Sequence, residues 1–325
     1  MRVIFMGTPY FSVPVLARLV EEGYEVVAVY TQPDKPSGRG RSVTPSPIKE
    51  TALKYSLHVE EPTSFKDEAV VDYMQSFEPD ITVVASYGHI LPKRVIDMPS
   101  HSCLNIHPSL LPKYRGPSPV AGAILAGDSE TGVTVMTVLP KVDSGHILAQ
   151  LKITIDPGDT TGSLTPKLFH MGANLLAYTI PRWVDGEIVP HPQDESQVTY
   201  TRTYTKDDGL INWNIPAVQI ARMIQAFNPW PGCYTTWQGK TLKLLEAIPL
   251  PESQTEKIPG QVIKPGETEA DVGVITGNGI LLLRTIQLVC SSSISTLPPL
   301  PLFRPMRRAG MTRLSLNTST SPLLR

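Results

Sequence analysis

Asn105 and His107 stand two residues apart in the run Cys-Leu-Asn-Ile-His-Pro that begins at Cys103. In an extended strand successive side chains point to opposite sides, so this spacing turns both toward one face. An amide can donate hydrogen bonds to an oxygen that gains negative charge, and an imidazole can donate, hold or pass on a proton. Pro108 ends the strand. Pro112, Pro117 and Pro119 with Gly116 then impose an irregular loop past its carboxyl end, where open α/β sheets bind small ligands. In isolation, an Asn-x-His also fits a structural turn with one satisfied histidine.

The elements that must hold this loop can be read around it. Arg2 to Met6 is a short apolar strand, and Ser12-Val13-Pro14 reads as an N-cap with proline in the first turn of a helix that stops at Gly23. With a strand from Glu25 to Thr31 this makes a βαβ unit. Its turn lacks Gly-x-Gly-x-x-Gly, which argues against a dinucleotide. A helix from Pro47 to about Ser56, a strand near 57–61, a helix near 67–77 and a buried strand from Ile81 to Ser86 lead to the motif. His89, just past that last strand, reads as a packing or pocket residue. After the motif come a helix from Pro119 to Leu125, strands from Gly132 to Leu139 and from Ile147 to Ile155, and a long helix from 160 to 184 capped by Asp159 or Thr160. Asp143 lies in the loop between those two strands, and a lone aspartate in a loop is ordinarily a turn former.

The expected fold class is α/β: a Rossmann-like domain over residues 1–188, a linker at 189–205, and a small β-barrel domain at 206–288. The barrel is read from short strands divided by glycine turns such as Gly277-Asn278-Gly279. Gln32 to Arg41 is basic and rich in glycine and proline, and is expected to be an exposed flexible loop. Either it is a solvated connection, or Lys35, Arg39 and Arg41 reach phosphates.

The chain has 325 residues and a formal net charge of −1, so bulk charge implies no nucleic acid and any such partner needs a local basic patch. No apolar run is long enough to span a membrane and the start goes straight into a strand pattern, which predicts a soluble cytoplasmic protein. Cys103, Cys233 and Cys290 are far apart, so reduced thiols are expected and no metal site. From Val289 the composition shifts to serine, proline and arginine, without Lys, Asp or Glu. A shifted reading frame and a natural basic tail both fit that composition; only the frameshift also explains the end of the resemblance described next.

The string Asn105-Ile-His-Pro-Ser-Leu-Leu-Pro-Lys-Tyr-Arg-Gly116 closely resembles the signature of the folate-dependent formyltransferases. Gly7-Thr-Pro-Tyr-Phe, the Gly-Arg-Gly-Arg loop at 38–41, Glu130 to Thr134, Asp143-Ser-Gly and Ala226 to Gly232 extend the resemblance over residues 1 to 288. It implies a Rossmann-like transferase domain followed by an oligonucleotide/oligosaccharide-binding (OB) type barrel. It further implies 10-formyltetrahydrofolate as co-substrate and initiator methionyl-tRNA as acceptor, with Asn105, His107 and Asp143 as the catalytic trio. On the same ground Ser109, Leu110, Leu111 and Pro112 line the folate pocket, and Lys35, Arg39 and Arg41 contact tRNA. No protein partner is implied, and a monomer is expected. A formyltransferase for a small amine such as an amino sugar or a ribonucleotide amine, a formyltetrahydrofolate hydrolase, and a non-enzymatic RNA-binding protein are the competing readings. The basic loop at 35–41 separates the tRNA reading from the amino-sugar one.

Overall fold

In the computed structural model the apolar run at the start forms β1 (Arg2–Gly7), whose side chains from Val3 onward are almost all buried. Residues 1–37, 42–250, 258–264 and 272–289 are described. Arg39, Arg41, Cys290 and the tail from 290 onward therefore lie outside the described residues.

A short 3-10 turn follows β1, and α1 (Val13–Glu21) then leads to β2 (Glu25–Tyr30). Ser12 occupies the cap position of α1, but its hydroxyl is spent elsewhere: it donates to Ala85 O at 2.7 Å and makes no capping bond. The expected flexible loop has paired flanks. β3 (Lys35–Ser37) and β4 (Ser42–Thr44) form a two-stranded antiparallel ribbon with Lys35 opposite Thr44. Next come α2 (Pro47–Lys54), β5 (Val59–Glu60), α3 (Glu68–Gln75) and β6 (Ile81–Ala85). Ser46 and Asp67 cap α2 and α3 by accepting from Lys49 N and Ala69 N. A one-turn helix absent from the sequence reading, α4 (Lys93–Ile96), precedes β7 (Cys103–His107). The first unit is completed by α5 (Pro119–Ala126), β8 (Glu130–Thr137), β9 (Ile147–Thr154) and α6 (Thr161–Val184).

These strands make one seven-stranded sheet in the order β5-β2-β1-β6-β7-β8-β9. The pairs from β5 to β7 are parallel, and β8 is antiparallel to both of its neighbours. Helices α1, α2 and α6 share one apolar core with the sheet, while α3 and α4 contribute to a separate core that includes Ile4, Met6 and Tyr87. Helices on both faces of a largely parallel sheet are the doubly wound arrangement. A capping box between Thr160 and Ser163 starts α6. Its apolar stripe includes Leu164, Leu168, Phe169, Leu176 and Ile180, and Gly172 faces the sheet where an added Cβ would stand 2.7 Å from Ile106 Cγ2. Ile106 therefore faces α6, and alternation along β7 turns Asn105 and His107 to the other side.

The chain divides into two units, Met1–Tyr204 and Thr205–Arg325. The second contains α7 (Ala217–Ala226), β10 (Cys233–Trp237), β11 (Lys240–Leu250), β12 (Val262–Ile263), β13 (Val272–Ile275) and β14 (Ile280–Val289). All are antiparallel, in the order β10-β11-β14-β13-β12. β11 breaks register against β14 on either side of Glu246, and bulges of that kind curl a sheet. α7 packs against β11 and β14, burying Ile220 and Ile224, and Trp213 Nε1 donates to the buried Thr235 hydroxyl at 3.2 Å.

Candidate active site

β7 delivers His107 to the start of the proline-rich loop, where the imidazole is 4% exposed. Its Nε2 lies 2.9 Å from Tyr114 O. A carbonyl oxygen can only accept, so Nε2 carries a hydrogen and donates it. Nδ1 is left facing Asp143, with Oδ2 at 3.7 Å. The same Oδ2 accepts from Gly116 N at 2.8 Å, so one carboxylate oxygen reaches both the imidazole and the backbone of the motif loop. Asn105 shares the His107 side of the strand and is half-buried; among the described residues its amide has no hydrogen-bond partner.

Asp143 holds a left-handed backbone conformation, with φ of +47°, which a non-glycine residue adopts only when its surroundings favour it. Two residues on, Gly145 lies so close to Thr137 O that an added Cβ would stand 1.6 Å from it. No side chain fits there. The Asp143–Gly145 turn is further pinned by Gln193, whose Nε2 donates to Asp143 O at 2.8 Å and to Gly145 O at 2.7 Å.

Gln193 belongs to the stretch expected as a linker, and several neighbours in that stretch bond to the motif loop. Arg115 N donates to Thr199 O at 2.9 Å, Thr201 N donates to Arg115 O at 2.7 Å, and Tyr114 N donates to the Thr199 hydroxyl at 2.8 Å. The Arg115 side chain is wholly buried, with Nε donating to Gln193 Oε1 at 2.9 Å and Nη2 to Glu195 Oε1 at 2.7 Å. Burial alone would lower the Arg115 pKa, but Glu195 and Tyr200 outweigh it and hold the guanidinium above its ordinary value. Lys141 and Arg115 together hold the Glu195 carboxyl below the usual range.

Arg115 and Gln193 escaped the sequence reading. Arg115 is visible in the motif, but nothing local marks Gln193, because its partners are 78 and 50 positions away.

Ser109, Leu110, Leu111 and Pro112 shape the loop. The Ser109 hydroxyl donates to Lys113 O at 2.8 Å, and Thr134 Oγ1 donates to Ser109 O at 2.6 Å. Leu111 O accepts from Gln150 Nε2 at 2.9 Å. None of the four lines the cavity of about 380 Å³ bounded by Ile96, Asp97, Cys103, Val138, Leu139, His146 and Trp183. That cavity borders the loop that carries Asp143, but it touches the amino end of β7, opposite the end that bears His107. Cys103 sits on its wall as a free thiol, pushed up to about 12 by burial. Lys35 is exposed and donates to Gln32 Oε1. His89 packs on Tyr87, with ring centroids 5.2 Å apart.

Residues 1–180 match the formyl transferase family, and residues 204–296 match the formyl transferase C-terminal domain. The chain belongs to the formyl transferase family. The second match runs past residue 288, where the resemblance was expected to stop. A methionyl-tRNA formyltransferase of Roseiflexus castenholzii is 46% identical to this formyltransferase over 288 residues, covering 88% of this chain and 91% of that one. One from Chloroflexus aurantiacus is 48% identical over 263 residues, covering 81% and 84%. An N-formyltransferase of Helicobacter canadensis, solved with folinic acid and dTDP-3-aminofucose, superposes with a TM-score of 0.64 at 17% identity, covering 88% of this chain and 99% of that one. At that identity the likeness is one of fold. Among the described residues of the formyltransferase no helix is long and apolar enough to cross a membrane.

Proposed function

We propose that the chain transfers the formyl group of 10-formyltetrahydrofolate to the amino group of initiator methionyl-tRNA, with Asn105, His107 and Asp143 acting on the reacting atoms. The pairing of His107 Nδ1 with Asp143 Oδ2 at the end of β7 carries this reading, in a chain of this family. The choice of acceptor is supported by the relatives' named substrate and by their identity over most of the chain.

The bound folate supplies the formyl carbon. The α-amino group of an aminoacyl ester has a pKa near 8 or lower, so much of it is neutral and nucleophilic without an activated side chain. Asn105, whose side-chain amide has no partner among the described residues, stabilises the formyl oxygen as it gains negative charge; one such donor is typically worth about 10²–10³ in rate. His107 Nε2 is occupied by Tyr114 O, so a proton enters or leaves the imidazole at Nδ1, on the Asp143 side. Asp143 receives the proton lost from the attacking nitrogen, directly or through water; when the tetrahedral adduct collapses, the bond between the formyl carbon and N10 of the folate breaks, a proton returns to N10, and tetrahydrofolate leaves. The cavity walled by Cys103 lies at the opposite end of β7 from His107, so the folate is assigned instead to the loop of Ser109, Leu110, Leu111 and Pro112, which follows the carboxyl end of β7 where open α/β sheets bind ligands.

The test is incubation of the protein with methionyl-tRNA and 10-formyltetrahydrofolate, with the ester-linked amino acid analysed for formyl-methionine. Formyl-methionine formed at a rate that saturates in both substrates is the expected result. Release of formate without formylated tRNA, or transfer to an amino-sugar nucleotide alone, would overturn the assignment of the acceptor.

A further inference from the structure

We propose that Gln193 is a positioning residue for the reaction: its side-chain amide sets the Asp143 carboxylate against His107. The proposal rests on the role given to Asp143 above. Gln193 is 9% exposed, and its amide has only one orientation that fits its neighbours. Arg115 Nε can only donate and takes Oε1, while Asp143 O and Gly145 O can only accept and take Nε2. Reversing the amide would set donor against donor and acceptor against acceptor.

This amide joins two loops. Through Arg115 it is tied to the motif loop, whose Gly116 N–H binds the Asp143 carboxylate. Through its two donated bonds it holds both ends of the left-handed Asp143 turn. A second tie runs in parallel, because Glu195 accepts from Arg115 and from Lys141, two residues before Asp143. The Lys141–Glu195 pair is exposed and contributes little. The buried Gln193 bonds therefore carry the placement, and losing them releases Oδ2 from Gly116 N and from His107.

The decisive variant is Gln193→Glu. It keeps the volume and the acceptor for Arg115, but it removes both donated bonds and sets a carboxylate against two carbonyls. Full-length Q193E and Q193A are assayed with methionyl-tRNA and 10-formyltetrahydrofolate. Amide hydrogen exchange at Gly116 is measured by NMR alongside that of Arg115 and Thr201, whose bonds join the motif loop to residues 199–201 directly.

Both variants are expected to lose about 10²-fold in kcat, as misplacement of a reacting group by about 1 Å can cost. KM for either substrate stays within about twofold, since the effect falls on the transition state. The Gly116 amide exchanges about tenfold faster or more, while those of Arg115 and Thr201 keep their protection. Wild-type kcat and Gly116 exchange in Q193E would overturn the proposal. So would an equal loss of protection at all three amides, which would make Gln193 part of the general scaffold. If the wild-type protein formed no formyl-methionine, the functional reading would fall, and Gly116 exchange in Q193E would still decide whether Gln193 places Asp143.

Discussion

His107 is committed at one nitrogen and available at the other, because Tyr114 O takes the Nε2 hydrogen while Nδ1 faces Asp143. That division separates the loss of each group from simple loss of binding. His107→Ala and Asp143→Asn should each lower kcat by about 10²-fold with the KM for folate little changed, since a proton-handling group acts mainly in the transition state. The double variant should be about as slow as the worse single one, because the two groups are proposed to work as a unit. Steady-state kinetics on the three variants checks this, and near-wild-type turnover in either single variant would remove the pair from the reaction. The residue types and their face were legible in the sequence from the spacing of Asn105 and His107. Asp143 was legible only by resemblance, since its left-handed turn and its bond from Gly116 depend on partners distant in the chain.

At the scale of elements, α6 presses on β7 through Gly172, and an alanine there meets Ile106 Cγ2 at 2.7 Å and Val133 Cγ2 at 3.0 Å. Replacing glycine within a helix gains about 0.5–1 kcal/mol, whereas overpacking a close-fitted core costs about 1–3 kcal/mol. Ile106 is buried and β-branched and cannot swing away, so the clash wins. Gly172→Ala should lower the urea midpoint, and an unchanged or raised midpoint would show that the sheet yields. At the start of the same helix Asp159 is 5% exposed. Burial alone would raise its pKa, but bonds from Lys167, Ser163 and Asp156 N outweigh it and leave the carboxyl below the ordinary range. A carboxyl depressed in the folded state stabilises fully above its unfolded pKa and loses that contribution as pH falls through the folded value. Asp159→Asn should therefore be less stable than wild type at pH 7, with the gap closing in acid; urea melts across pH 7 to 3 measure it. Strands and capped helices of this kind were readable because periodicity and caps are local signals. Ser12 misled as a cap because Ala85 O, 73 positions away, claims its hydroxyl. The role of residues 193–201 was hidden for the same reason, being a matter of long-range pairing.

At the scale of the whole molecule, a slightly acidic chain is proposed to bind a polyanion, which places the burden on local basic groups. Arg39→Ala with Arg41→Ala should raise the KM for methionyl-tRNA and flatten the salt dependence of tRNA binding by roughly one to two units of log–log slope. An unchanged slope would return those arginines to an ordinary connection. Deleting residues 297–325, which follow the end of the second family match, should leave kcat unaltered; a fall in kcat would make the tail a working part of the protein. The order in which the chain is made adds a constraint of time. Arg115 precedes Gln193 by 78 positions, so at ribosomal rates of about 5–20 residues/s it waits roughly 4–16 s for its acceptor to be synthesised. Through that interval the nascent sheet can gather around β7 while the motif loop is still open to solvent and its guanidinium is hydrated. A chain cut short before residue 193 would thus lack the bonds that residues 193–201 make to the motif loop, however much of the sheet had already formed.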